Sequence, residues 1–143
     1  MGDHLFVYGT LQLPDVMHAV TRLRPAPHPA VLSGFARFTL RGEVYPSVVP
    51  SPGARTEGML YRDLDAATFD ILDRFEGQEY ERHQLSVSVH AETVQAWTYA
   101  LRPPLRDRLS DEPWSLDEFV VEGLQTFLDG YAGFDRSASE GAP

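Results

Sequence analysis

Cysteine is absent from the 143 residues. That single absence removes disulfides, thiolate metal sites and thiol nucleophiles. Positive charge is scarce: 12 Lys+Arg stand against 21 Asp+Glu, a net charge of −9. Such a balance argues against nucleic acid or an anionic membrane as a partner. No window approaches the roughly 18 apolar residues a spanning helix needs. Residues 1–8 lack the basic start and long apolar run of a secretion signal. The five histidines, His4, His18, His28, His83 and His90, include no pair at metal-helix spacing and read as surface or hydrogen-bonded side chains. There is no Gly-x-Ser-x-Gly elbow, no Gly-x-x-x-x-Gly-Lys and no Gly-x-Gly-x-x-Gly. The expectation is a cytoplasmic protein that uses neither metal nor cofactor.

Hydrophobic content of 43% and aromatic content of 11% suit a folded core. The length suits one domain, expected over residues 1–135, with a small, polar tail at 136–143. Residues 5–8 (Leu5, Phe6, Val7, Tyr8) form a nearly all-apolar run, the pattern of a strand buried on both faces. Gly9, Thr10 and Leu11 then turn, and Pro14 can open a helix through Val16, Met17 and Val20. Pro25, Pro27 and Pro29 predict a stiff, extended link. Residues 31–40 resume β character, interrupted by Gly34. Tyr45 and Pro46 begin an extended stretch, either a sheet edge or a loop lining something. Ser51-Pro52-Gly53 predicts a turn. Residues 57–61 predict a strand.

Residues 85–89 alternate strictly, so that strand has one wet face. Glu92-Thr93 is the expected hairpin turn, and residues 94–101 the return strand, with Trp97, Tyr99 and Leu101 on one face and read as core. An arginine- and aspartate-rich loop follows between Pro103 and Pro113. Ser115-Leu116-Asp117-Glu118 has the capping-box pattern. It opens a helix striped by Val120, Leu124, Leu128 and Tyr131, with Phe119 and Phe127 alongside and Gly130 suited to its end. Strands joined mostly by turns predict an α+β fold: a small, mostly antiparallel β-barrel with helices packed outside.

The helix around residues 66–76 holds the anomaly. Asp63 or Asp65 can cap its start, and Gly77 suits its end. Ala67, Phe69, Ile71, Leu72 and Phe75 spread over one apolar arc, while Asp70, Asp73 and Arg74 fall on the wet side. Glu76 lands inside the apolar arc. Two readings follow. Glu76 is partly desolvated and its pKa raised, which makes a proton carrier near neutral pH, or the last turn frays and the carboxylate reaches water. Glu79 and Glu81 read as solvated loop charges, and Arg82 as a pairing partner for a carboxylate. The turn at Tyr8-Gly9-Thr10-Leu11 can aim backbone N–H groups at one point, where they hold a carboxylate or an oxyanion.

Several motifs recur in order. They are Phe6-Val7-Tyr8-Gly9-Thr10-Leu11, Tyr45-Pro46, Glu57-Gly58-x-Leu60-Tyr61, Leu72-Asp73-x-Phe75-Glu76-Gly77-x-x-Tyr80-x-Arg82 and Ala96-Trp97-x-Tyr99. Together they resemble the gamma-glutamylcyclotransferase-like family, and the Gly-Thr-Leu loop resembles its gamma-glutamylamine cyclotransferase branch. The resemblance implies a small β-barrel with flanking helices. It implies cyclisation of a γ-glutamyl amine or amide, a small-molecule substrate, to 5-oxoproline with release of the free amine. It makes Glu76 the catalytic glutamate and Tyr8, Gly9, Thr10 and Leu11 the substrate-binding loop, with Tyr45 near the pocket. Because the substrate's own amine attacks its own carbonyl, the protein needs no nucleophile and supplies proximity and proton transfer. The alternative is a non-catalytic small-molecule binding or sensing domain on the same fold.

Overall fold

The computed structural model describes residues 2–122. The predicted stripe through Leu124, Phe127, Leu128 and Tyr131, the closing Gly130 and the tail at 136–143 lie outside them. β1 (Asp3–Val7) runs into a 3-10 turn (Thr10–Gln12) and α1 (Pro14–Thr21), which Pro14 opens at its first position. β2 (His28–Leu40) and β3 (Pro46–Leu64) form a long hairpin, followed by α2 (Ala66–Glu76). β4 (Tyr80–Val89) and β5 (Glu92–Leu101) form a second hairpin, and β6 (Leu109–Pro113) and α3 (Leu116–Glu122) complete the described chain.

The strand order β3-β1-β5-β4-β2 closes on itself because β2 also pairs with β3, giving a five-stranded barrel with β6 added beside β2. The pairings are antiparallel except that β1 lies parallel to β5. The all-apolar run of β1 is explained by its place. Leu5 and Val7 face a cluster shared with Val16, Met17 and Leu72 of the helices, while Phe6 and Tyr8 face a second cluster with Leu32, Leu60 and Val87. Alternate side chains of one strand thus serve two cores.

Four expectations are corrected. Pro29 is not part of a link but pairs with Met59 inside the sheet. Ser51-Pro52-Gly53 does not end a strand. Residues 51–54 bulge out between the Phe35–Pro50 and Ser33–Arg55 pairs, with Gly34 opposite, and pairing resumes on both sides. Residues 103–113 are a 3-10 turn and a strand rather than one loop. The β4–β5 turn is His90-Ala91, not Glu92-Thr93, because Val89 pairs with Glu92. Both turn residues take positive φ, 49° and 65°, as a type I′ hairpin demands. Side chains with a Cβ resist that region. Replacing Ala91 with glycine should therefore stabilise the protein by roughly 0.5–1 kcal/mol, after the extra freedom of the unfolded glycine is subtracted. Urea midpoints of the two proteins would show it, and an unchanged or lower midpoint would contradict the turn geometry.

Candidate active site

α2 is set by its ends. The Thr68 N–H and hydroxyl donate to Asp65 Oδ1 at 2.9 and 2.7 Å, so Asp65 is the cap and Asp63 is not. Gly77 closes the helix at φ 81°, its N–H donating to the Asp73 carbonyl at 3.1 Å. This stop leaves Glu76 as the last helical residue, and Phe69, Leu72 and Phe75 pack the same side of the helix against the barrel. Glu76 is 5% exposed. The frayed-turn alternative is therefore overturned. Burial foremost, and then the neighbouring Asp73 charge, hold its carboxyl well above the usual range. Among the described residues its Oε1 is buried without a hydrogen-bond partner. Native proteins rarely leave a carboxyl oxygen so, and an unmet acceptor in a cavity marks a place where a donor can be received.

The loop after β1 reaches the same place. Tyr8, Gly9, Thr10 and Leu11 line one small chamber of about 30 Å³ together with Glu76 and Tyr99. Pro46 presses on Gly9 from β3, and a Cβ on Gly9 would lie 3.1 Å from the proline ring. Thr10 Oγ1 is a second buried atom without a partner among the described residues. The N–H groups of Thr10 and Leu11 open a 3-10 turn, so they have no acceptor within it. Glu76 and Tyr99 also line a broader cleft of about 1040 Å³, and Tyr45 lies there rather than in the chamber. Burial and the adjacent Glu43 carboxyl push the Tyr45 phenol up to about 12.

Tyrosine hydroxyls fix the surrounding backbone. Tyr61 donates to the Leu11 carbonyl at 2.7 Å, Tyr80 to the Pro46 carbonyl at 3.0 Å, and Tyr8 to the Tyr99 carbonyl. Burial raises all three phenols, Tyr61 to about 12, so they remain donors at neutral pH. Arg37 of β2 donates to the Tyr8 carbonyl at 2.7 Å and to that of Glu57 at 3.0 Å, with its guanidinium over Trp114. Sequence reasoning missed Arg37 and the hydroxyls of Tyr61 and Tyr80, since nothing local marks a side chain whose partner is a distant carbonyl. Two residues do more than their patterns suggest. Tyr99 is buried as expected, but its ring forms a wall of the chamber. Asp73, expected on a wet arc, accepts from Tyr99 and Arg82. Glu79 and Glu81 pair with Arg108 and Arg102 at the rim, Glu81 from within β4 rather than from a loop. Among the described residues no three His, Asp or Glu side chains converge as metal ligands, and no helix is long and apolar enough to cross a membrane.

A family model described as gamma-glutamyl cyclotransferase, AIG2-like, matches residues 5–116. The chain belongs to this family. The match runs from the start of the buried β1 run to the start of α3, so it takes in the chamber, the cleft and the whole barrel. AIG2-like protein C of Arabidopsis thaliana is 35% identical over 126 residues, 87% of this chain and 73% of that protein. The solution structure of another Arabidopsis thaliana protein superposes with a TM-score of 0.71 at 27% identity, over 94% of this chain and 82% of that one. The structure of a gamma-glutamyl cyclotransferase superposes with a TM-score of 0.62 at 18% identity, over 70% of this chain and 66% of that one, a likeness of fold. Membership in the gamma-glutamyl cyclotransferase, AIG2-like, family supports a cyclotransferase type of enzyme in general terms. The names of the AIG2-like relatives state no reaction.

Proposed function

We propose that this protein is a γ-glutamyl cyclotransferase, which closes a γ-glutamyl amine or amide into 5-oxoproline and releases the free amine. The observation that carries the reading is the buried, partnerless Oε1 of Glu76 in a chamber whose far wall is the Tyr8–Leu11 loop. Burial favours the neutral form of Glu76. An arriving α-ammonium supplies the positive charge that favours the carboxylate, so binding prepares the base.

Glu76 then takes a proton from the α-ammonium. The freed amine attacks the γ-carbonyl carbon, and a C–N bond forms. The carbonyl oxygen becomes negative, and the N–H groups of Thr10 and Leu11 serve that oxyanion or the α-carboxylate. Collapse breaks the original amide C–N bond as Glu76 returns that proton to the departing nitrogen, and Glu76 then carries a second proton from the attacking nitrogen to the same amine. The ammonium brings three protons. The lactam keeps one and the departing amine gains two, leaving as an ammonium, so Glu76 ends as it began. Both reacting groups belong to one substrate, and the small chamber contributes chiefly by holding them folded together. The leaving group extends into the cleft past Tyr45.

Incubation of the purified protein with γ-glutamyl amino acids, γ-glutamyl polyamines and γ-glutamyl-ε-lysine, followed by mass spectrometry, tests this reading. We expect 5-oxoproline from at least one class. Thermal stabilisation by panel members with no product from any of them would instead favour a binding domain.

A further inference from the structure

Asp73 precedes Glu76 by three residues on α2, so their carboxyls are neighbours on the helix surface. Asp73 is held from two other elements. Its Oδ1 accepts the Tyr99 hydroxyl at 2.6 Å and Arg82 Nε at 2.9 Å, and its Oδ2 accepts Arg82 Nη2 at 3.2 Å. The Arg82 guanidinium is covered on its faces as well, its central carbon 4.9 Å from the Phe69 ring centre and 4.6 Å from that of Trp97. A planar cation with its fork on one carboxylate and rings over it keeps one orientation.

This arrangement bears on Glu76 in two ways. Tyr99 lines both the chamber and the cleft beside Glu76, yet its hydroxyl proton is directed at Asp73. Glu76 Oε1 has no donor among the described residues. The Asp73 charge also stays beside Glu76, offset by an Arg82 that lines the same cleft.

We propose that Arg82, Asp73 and Tyr99 are positioning residues for the cyclisation, a clamp that keeps Glu76 Oε1 open to the substrate ammonium and holds a fixed anion and cation beside it. The proposal rests on the cyclotransferase reading. The other groups facing Glu76 leave the clamp as the adjustable pair. Tyr8 from the loop after β1, Tyr80 from β4 and Tyr99 from β5 are phenols pushed up, first by burial, and stay neutral in the working range. At the cleft, Glu79 pairs with Arg108 at 2.6 Å and Glu81 with Arg102 at 3.0 Å, while Glu43 and Arg74 also line it. These rim charges act through solvent and are screened by salt.

Opposite substitutions should move Glu76 in opposite directions. Asp73→Asn keeps an acceptor for Tyr99 and removes an anion, so the acid limb of kcat/KM should move down by about half a pH unit or more. Arg82→Gln removes a cation, so it should move up by about as much. The limb is read from 5-oxoproline release. The Glu76 carboxyl is titrated separately by 13C NMR, its signal assigned by its loss in Glu76→Gln. Slower turnover with the Glu76 midpoint unmoved, or moved the same way in both variants, overturns the proposal. If Arg82→Gln does not fold, Arg82→Lys keeps the charge without the fork. It should lower kcat and leave the midpoint near wild type, and a displaced midpoint there would overturn the clamp. Opposite NMR shifts with no product from wild type would retain the electrostatic pair and reject the cyclotransferase reading.

Discussion

Glu76→Gln should lower kcat/KM for 5-oxoproline release by about 1,000-fold, the scale of a lost general acid–base group, and should stabilise the protein as the pH rises. Glutamine has nearly the shape of glutamate and fills the same end of α2. It cannot take the proton of the α-ammonium, nor return one to the departing amine. A variant that turns over at the wild-type rate would remove Glu76 from the mechanism.

The stability half of the prediction follows from burial. Glu76 binds its proton more tightly in the folded protein than in the unfolded chain, where it titrates near the ordinary carboxylate value of 4.5. Below that value both states are protonated and the group contributes no pH dependence. Above it the unfolded chain gives up its proton first, so folding must retain a proton or bury a charge. Wild-type stability then falls with rising pH until the folded group has also ionised, by up to about 1.4 kcal/mol per pH unit from this residue. Glu76→Gln lacks that contribution. Urea midpoints at pH 5 and pH 8 should diverge between the two proteins, with the variant ahead at pH 8. Parallel behaviour would mean that Glu76 is solvated. The same group would then be a poor proton carrier, so activity and stability test one physical cause from two sides.

The parts of this site that were legible in the sequence were those set within a single element. Glu76 stood out because a helix has a period, and that period put a carboxylate among Phe69, Leu72 and Phe75. The loop Tyr8-Gly9-Thr10-Leu11 was marked by the abrupt end of an apolar run at glycine. Residues 85–89 announced their two faces by alternation. What remained hidden depends on other elements. A helical wheel assigns Asp73 to water because it knows nothing of Arg82 arriving from β4 or Tyr99 from β5. Tyr99 shares a strand face with Trp97 and Leu101, which makes it core by pattern. It is core by burial too, and a buried ring can still be a cavity wall. β3 reads as two pieces because Pro50, Pro52 and Gly53 lie within it, yet β2 on its flank tolerates the bulge opposite Gly34. The parallel pairing of β1 with β5 joins Leu5 to Trp97 across most of the described chain, and no local pattern encodes it.

Gly58→Ala should destabilise the protein by about 3 kcal/mol, at the upper end of what overpacking costs, and should take catalysis with it. Gly58 lies in β3 where β1 crosses close by. A Cβ there would overlap the Val7 carbonyl oxygen and come within 2.7 Å of Phe6 Cζ. A flexible side-chain tip can move aside, but a backbone oxygen in a ladder cannot. Val7 pairs with Met59 and Phe6 with Leu60, so relief requires β1 to shift off β3. Val7 leads directly into Tyr8 and the chamber loop, and Phe6 fills the barrel cluster. Displacing β1 therefore moves the N–H groups of Thr10 and Leu11 away from Glu76, and small displacements of positioned groups are costly to rate. Gly53→Ala is the contrasting substitution. Nothing among the described residues lies within 4 Å of a Cβ built there, although its φ of 85° disfavours alanine. It should lose about 1–2 kcal/mol of stability and keep its turnover. Urea midpoints and 5-oxoproline rates of the two variants, measured on folded protein, would separate backbone strain from displacement of the site. If Gly58→Ala behaved like Gly53→Ala on both counts, β1 would have room to accept a side chain opposite it, and the chamber loop would not depend on the close approach of these two strands.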